Sequence, residues 1–432
     1  MSDTSLWVDR HARAVGGDRI TDRPAPSFFA PDRLATVVSP QLSGEPPDQA
    51  AVCSPIALEV HDSLIDLEPE WRAFEARADC TPFQTWDWLD AWQRHVGTRN
   101  AVTPAVVVGR RRNGEVVVIL PLAIERRGLV RRLTFLGSAL CDYNAPLIAE
   151  GLSSRLDRHG FVALWRRAVA LLRADRRFRF DLIDLQKMPE RVGRQTNPFV
   201  GLPVRPHPCG AHVATLDADW ERFYAARRSA STRKRERRQL KQLAEHGAIG
   251  FLDVRDPGEI RRTMDVLMAQ KARALSRIGV EDFFRRPGYR DFFHAVAVSA
   301  GNHVSRLDVG TTVAAASLGL TFRDCYYLVL SSYHDGESSR LGPGRAHLHE
   351  LLRDAIRRGF RRFDFTIGDE LYKRDWSDTE VGVLDHLAAA SLRGSVAVAV
   401  TVAFRHSKRV IKRTPALWRA FSKIRALATT RS

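Results

Sequence analysis

The chain has 432 residues, 44% of them hydrophobic, 9% aromatic and 27% charged, with 28 glycines. These proportions exclude a fibrous or wholly disordered polymer, and the length allows more than one hydrophobic core. A balance of 67 Lys and Arg against 50 Asp and Glu gives a formal charge of +17 and a pI near 10.3, which favours anionic partners without choosing among nucleoside phosphates such as coenzyme A, nucleic acid, anionic lipid and acidic polysaccharide.

Five cysteines, Cys53, Cys80, Cys141, Cys209 and Cys325, are odd in number and widely spaced. They suggest neither a disulfide framework nor a zinc site, and no metal is expected. The opening MSDTSLWVDRHARAV lacks the apolar segment of a secretory signal, and no stretch reaches the roughly 18 apolar residues of a membrane span. A cytoplasmic location is the default expectation.

Residues 1–52 hold six of the 21 prolines and no sustained apolar period, the pattern of a disordered leader. An N-terminal domain is expected over 53–205. Ile56, Leu58 and Val60 alternate as in a strand, and the helical patterns WRAFEARA and WDWLDAWQRHV follow. Two β-branched runs then flank Asn113-Gly114, a strong hairpin signal because both residues tolerate positive φ. Further strands, the loop holding Asp142 and Tyr143, the amphipathic helix RHGFVALWRRAVALLRA and the strand FDLIDLQKM complete the unit.

The same order of elements recurs over 206–390, which predicts a C-terminal domain arising by tandem duplication, although no residue-level repeat is visible. After the strand VATLD comes a basic arm in which Arg227, Arg228, Arg233, Lys234, Arg235, Arg237, Arg238 and Lys241 are opposed only by Glu236. It is either a groove for an anionic ligand or a solvated helix face. Lys271 and His294 are read as surface and packing residues. A three-stranded meander then runs into the glycine loop SSRLGPGRA and a helix on which Leu348, Leu351, Leu352, Ala355 and Ile356 share one face, with Gly359 at its stop. The strand FRRFDFTIG follows, Phe363 and Phe365 on one side and Asp364 on the other. Residues 391–432 form a basic tail: from 387 to the end there is no acidic residue and there are ten Lys or Arg. The apolar run VAVAVTVAF makes interfacial membrane contact one reading, a disordered tail the other.

A glycine loop between a strand and a helix can hold a phosphate, because unpaired N–H groups and the helix dipole point at it. Gly342 and Gly344 permit close approach, Arg340 and Arg345 can add charge-assisted bonds, and Pro343 removes one donor. The run from GTTVAAASLGL through YYLVLSSYHDG, LGPGRAHLHELLRDAI, RRFDFTIGDE and LYKRDW resembles the CelD/BcsL-type acetyltransferase family, GNAT proteins associated with cellulose or exopolysaccharide biosynthesis and related to FemAB-type transferases. TPFQTWDWLDAW and LCDYNAPLI in the first half look like the same family, so the resemblance covers about residues 56–390.

That resemblance implies an α/β fold of two tandem GNAT-like domains with mixed, largely antiparallel sheets, and acyl transfer from a thioester such as acetyl-CoA to an amine or hydroxyl of a sugar or envelope precursor. The donor site would lie within 331–376, with Ser331, Arg340, Gly342, Gly344, Arg345 and Trp376 binding it. By side-chain chemistry, Tyr372 could protonate the leaving thiolate, Asp364 or Asp369 could accept a proton, Lys373 could bind phosphate or oxyanion charge, and Asp142 and Tyr143 could reach in from the first half. The competing structural reading pairs Asp364 with Lys373 or an arginine and packs Tyr372 and Trp376. The GNAT pattern has Arg or Gln three residues before the first glycine, where this chain has Ser339. A FemAB-like aminoacyl-tRNA ligase is therefore the alternative, with a non-catalytic GNAT-fold partner in a polysaccharide-synthesis complex as a third.

Overall fold

The computed structural model describes residues 56–413; the expected leader over 1–52, Cys53 and the last 19 residues of the tail lie outside them. The first half begins with strand β1 (Ala57–His61), helices α1 (Glu68–Glu75) and α2 (Trp86–Trp92), and the hairpin β2 (Val106–Arg110) and β3 (Val116–Leu120). Its turn follows the sequence: Gly114 has φ of +82°, and Asn113 accepts a hydrogen bond from the Glu115 N–H. Strands β4 (Leu122–Arg127) and β5 (Val130–Phe135), helix α3 (Arg158–Ala174) and strand β6 (Leu182–Pro189) complete it, and β7 (Val204–Pro206) leads out.

The second half runs through β8 (Ala211–Thr215), α4 (Trp220–Arg227), the basic helix α5 (Ala230–Ala244), β9 (Ile249–Val254), α6 (Pro257–Arg277) and α7 (Tyr289–Ala297). The meander is β10 (Asn302–Val309), β11 (Thr312–Phe322) and β12 (Cys325–Tyr333). Helix α8 (Pro343–Arg357), β13 (Arg362–Ile367), the short α9 (Leu371–Trp376), β14 (Thr379–Val381), β15 (Val383–Ala389) and α10 (Leu392–Arg413) follow.

The strands build a mixed, largely antiparallel set of sheets. One seven-stranded sheet has the order β9-β10-β11-β12-β13-β8-β14. A six-stranded sheet reads β7-β15-β6-β5-β4 and ends on the short strand Thr103–Pro104; a four-stranded sheet joins β1, β2 and β3 to Leu147–Ile148. The chain crosses back at its end, because β15 pairs with β6 of the first half over Val383↔Pro189 to Ala389↔Leu182.

The halves share one core. Trp88 of α2 meets Phe292 of α7 edge-on at 5.0 Å between ring centroids, and the cluster around them draws on both halves. Alternation along β13 sends Phe363 and Phe365 into a second cluster under Leu348, Leu351 and Leu352 of α8, so that Asp364 turns the other way, toward the first half.

Candidate active site

Strands β12 and β13 run parallel but pair only at Cys325↔Arg362, Tyr326↔Phe363 and Tyr327↔Asp364. Beyond these three positions they diverge. A register shift between Leu328 and Leu330 bulges β12, and Thr366 takes φ of +60°. A β-branched residue in that region costs on the order of 1–3 kcal/mol. Two bonds hold it there: the Thr366 N–H donates to Asp364 Oδ1 at 2.7 Å and its hydroxyl donates to the Leu328 carbonyl at 3.2 Å.

The wedge so opened leads into a cavity of about 150 Å3 between the halves. Asp142 and Lys187 line it from the first half, and Lys271, Ser331, Thr366, Glu370, Tyr372 and Lys373 from the second. Gly368, with φ of +150°, lets the chain turn into α9; a Cβ there would stand 2.1 Å from Glu370 Oε2 and 2.6 Å from Lys373 Nζ.

Burial sorts the charges of this cavity. It pushes the Lys271 ammonium down to about 8, helped by Lys373 and opposed by Glu370, while Nζ donates to the Ser331 carbonyl at 3.2 Å. For Lys373 burial pulls the same way, but Glu370, 3.2 Å from Nζ, outweighs it together with Tyr372 and Asp142, so this amine stays protonated and donates to the Ile367 carbonyl at 2.8 Å. Burial raises the Tyr372 phenol to about 12, against the pull of Lys373 and of a hydrogen bond with Ser331. An amine pushed down to about 8, a fixed cation and a protonated phenol thus surround one space. Together they can accept a proton, balance an oxyanion and donate a hydrogen bond.

Asp364 lies beside this space, 5% exposed. Burial raises its carboxyl to about 7, against the hydrogen bonds from Thr366 and Tyr143. The Tyr143 hydroxyl reaches both its oxygens at 3.0 Å and is itself pushed well above its ordinary value. Asp364 therefore pairs across the halves, with neither Lys373 nor an arginine.

Of the expected site residues, the fold brings Ser331, Tyr372, Lys373 and Asp142 to the cavity and Tyr143 to Asp364. Asp369 is not among its lining residues and sits 3.9 Å from Arg374. Gly342 (φ +74°) and Gly344 open α8 as expected. The cradle there has few donors, since the Arg345 and Ala346 N–H groups both go to the Gly342 carbonyl and Pro343 has none. Arg340 is exposed, and Arg345 donates to Gln239 of α5 at 2.5 Å. The helix start joins the wedge through β12: Ser331 lines the cavity, and two residues on, the Tyr333 ring lies 3.1 Å from where a Gly344 Cβ would stand.

Two expectations need correction. Trp376 was expected at a pocket but is fully buried, stacked among Trp220, Phe223 and Tyr224 with the Arg228 guanidinium 4.4 Å above its ring. Aromatic packing there removes more apolar surface from water than a cleft would. Lys271, read as a surface residue, lines the cavity. Its signal was its position, four residues from each of the buried Leu267 and Leu275 and so on the apolar stripe of α6. Thr366 and Glu370 also escaped the sequence, being defined by backbone conformation and by a partner.

The first half carries a comparable divergence. Strands β5 and β6 pair in parallel only at Arg132↔Leu182 and Leu133↔Ile183. Lys187, further along β6, has φ of +59°. Here the gap is filled by the loop after β5. The Asn144 N–H donates to the Lys187 carbonyl at 2.9 Å, its side-chain amide donates to Gln186 and Ser138 carbonyls at 3.0 and 3.3 Å, and Lys187 Nζ donates to the carbonyls of Ala139 and Cys141.

Residues 230–374 match the acetyltransferase (GNAT) domain family. The chain thus carries a GNAT domain and is an acyltransferase by class. No curated protein sequence matches it. Among solved structures it is similar to FemX, at a TM-score of 0.50 and 10% identity over 74% of this chain and 95% of that one. It is also similar to L-PGS from Bacillus licheniformis (TM-score 0.46, 9% identity, 77% and 95% covered) and to a tandem GNAT protein from the clavulanic acid biosynthesis pathway (0.43, 15%, 78% and 100%). At such identities the likeness to FemX is one of fold.

Proposed function

We propose that the chain transfers an acyl group, in the first instance acetyl, from a coenzyme A thioester to an amine or hydroxyl of a saccharide or other envelope or exopolysaccharide precursor in the cytoplasm. The observation that carries this reading is the open wedge between β12 and β13, which continues along β12 to the start of α8. The acyl-bearing arm of the donor would lie in the wedge and its phosphates beside Gly344, Arg340, Arg345 and the basic helix α5. Lys271, neutral above about pH 8, takes the proton of the attacking amine or hydroxyl as the new bond to the thioester carbonyl forms. The Lys373 ammonium balances the oxyanion, which collapses to expel the thiolate. That thiolate recovers the proton, directly from Lys271 or through the Tyr372 hydroxyl. The acceptor class rests on the sequence resemblance.

A second reading, a FemAB-like aminoacyl-tRNA-dependent ligase, draws on the few N–H donors at the start of α8 and on the exposed cations Lys234, Arg235, Arg237, Arg238 and Lys241 of α5. Calorimetric titration of the full chain with coenzyme A and with tRNA at two salt concentrations tests both. Salt-tolerant coenzyme A binding, with thiol release from acetyl-CoA in the presence of amine or saccharide acceptors, supports the first. Steeply salt-dependent tRNA binding without coenzyme A binding replaces it with the second.

A further inference from the structure

Helix α10 rests on the six-stranded sheet, and its start is fixed there. Ser391 donates its hydroxyl to Asp181 Oδ1 at 2.7 Å, and Gly394 lies so close to the Asp181 carbonyl oxygen that a Cβ would stand 1.7 Å from it. Ala397, Val398, Thr401 and Val402 occupy the half-buried side.

The other side faces outward and is also apolar. Leu392 is 89% exposed, Val396 65%, Val400 56% and Phe404 40%, with Ala399 and Ala403 exposed between them. A helix lying on a sheet ordinarily turns charged and polar residues to water. From 394 to 404 this one has no charged residue at all. The exposed stripe runs for about 18 Å at the rise of an α-helix, a patch of the kind that marks an interaction site.

Charge selects the occupant. The last acidic residue of the chain is Asp385, and ten Lys or Arg follow it, with Arg405, Lys408, Arg409, Lys412 and Arg413 in α10 itself. A second copy of α10, or the chain's own residues 414–432, would bring more positive charge and no carboxylate to pair with it. An anionic lipid surface offers an apolar layer for the stripe and negative headgroups for the cations. Among the described residues no helix is long and apolar enough to cross a membrane, so the stripe would lie along the interface. We propose that the outward face of α10 docks the protein on an anionic lipid surface, Leu392, Val396 and Val400 entering the headgroup boundary and the excess of Lys and Arg in this part of the sequence drawing it to the headgroups. This surface belongs to the first-half sheet and is independent of the acyl-transfer reading.

Flotation of the full chain with vesicles of phosphatidylcholine alone, or with phosphatidylglycerol added, tests it. Binding should require phosphatidylglycerol, weaken as salt rises, and fall at least about tenfold in V396E/V400E, whose substituted positions are exposed. Unchanged melting and unchanged coenzyme A binding in that variant would assign the loss to the surface. If V396E/V400E melts early, salt decides: flotation that high salt does not reduce overturns the proposal. It is equally overturned by absence of flotation with either vesicle, by equal flotation with both, by flotation of a well-folded variant at the original level, or by a wild-type dimer that the variant dissolves without any vesicle binding.

Discussion

Strands β5 and β6 separate after two parallel pairs, and β12 and β13 after three. Each divergence is accompanied by a non-glycine residue at positive φ, Lys187 in one and Thr366 in the other. The gaps differ in what fills them. After β5 the chain folds back, and Asn144 spends its amide on the backbone of β6; after β12 it runs out to α8 and leaves the gap open. One backbone device thus gives a brace in the first half and a site in the second. The brace also serves the site, since its loop delivers Asp142 to the cavity and Tyr143 to Asp364.

The comparison breaks most readily at Lys271. Lys271→Met should lower turnover on the order of 10²- to 10⁴-fold while leaving coenzyme A affinity within about twofold. Because burial holds the ammonium down to about 8, the neutral base gains population as pH rises, and the wild-type rate should climb through pH 8 and level off. A steady-state pH profile of the variant retaining that limb would remove Lys271 from the chemistry.

Asp364 probes the seam between brace and site. Its carboxyl sits at about 7 in the fold, so between the ordinary carboxylate range and pH 7 the folded chain keeps a proton that the unfolded chain releases. Stability is then fullest at the acid end and is lost as pH rises through 7, by up to about 4 kcal/mol. Thermal melts of Asp364→Asn between pH 5 and 8 should show a much flatter profile than wild type; parallel profiles would contradict the raised carboxyl.

Asn144→Ala attacks the brace directly. Two half-buried carbonyls lose a donor, a cost of about 1 kcal/mol, and hydrogen exchange should quicken across residues 137–146. Unaltered exchange would mean that the loop is held by Lys187 and not by Asn144. The smallest effect is expected at the far end of the open wedge, where Gly344→Leu would press on the Tyr333 ring and weaken coenzyme A binding about tenfold, or about 1.4 kcal/mol. Undiminished calorimetric affinity in a folded variant would discard the phosphate cradle.

Some of this was legible in the residues. The Asn113-Gly114 turn, the shared face of Leu348, Leu351 and Leu352 and the alternation of Phe363 with Asp364 follow from periods of 3.6 and 2 and from turn chemistry, all acting within a few residues. Ser331, Tyr372 and Lys373 were singled out through the family resemblance of the stretches that hold them and their side-chain chemistry, and the fold lines one cavity with all three. Lys271 and Trp376 were misjudged because a lysine on an apolar stripe, or a tryptophan after a polar turn, has a meaning only once its neighbours are known.

The sequence by itself determined the elements and the mixed α/β class, because hydrophobic period and backbone preference are local quantities. Tertiary structure decided which wedge is open, that β15 closes the first-half sheet, and that Tyr143 meets Asp364 across 221 residues. It decided the protonation of the site as well. The amines of Lys271 and Lys373 are the same group in the sequence. One is driven toward neutrality by burial and the other kept charged by Glu370, since the cost of a charge depends on the water and counter-charge that folding leaves beside it.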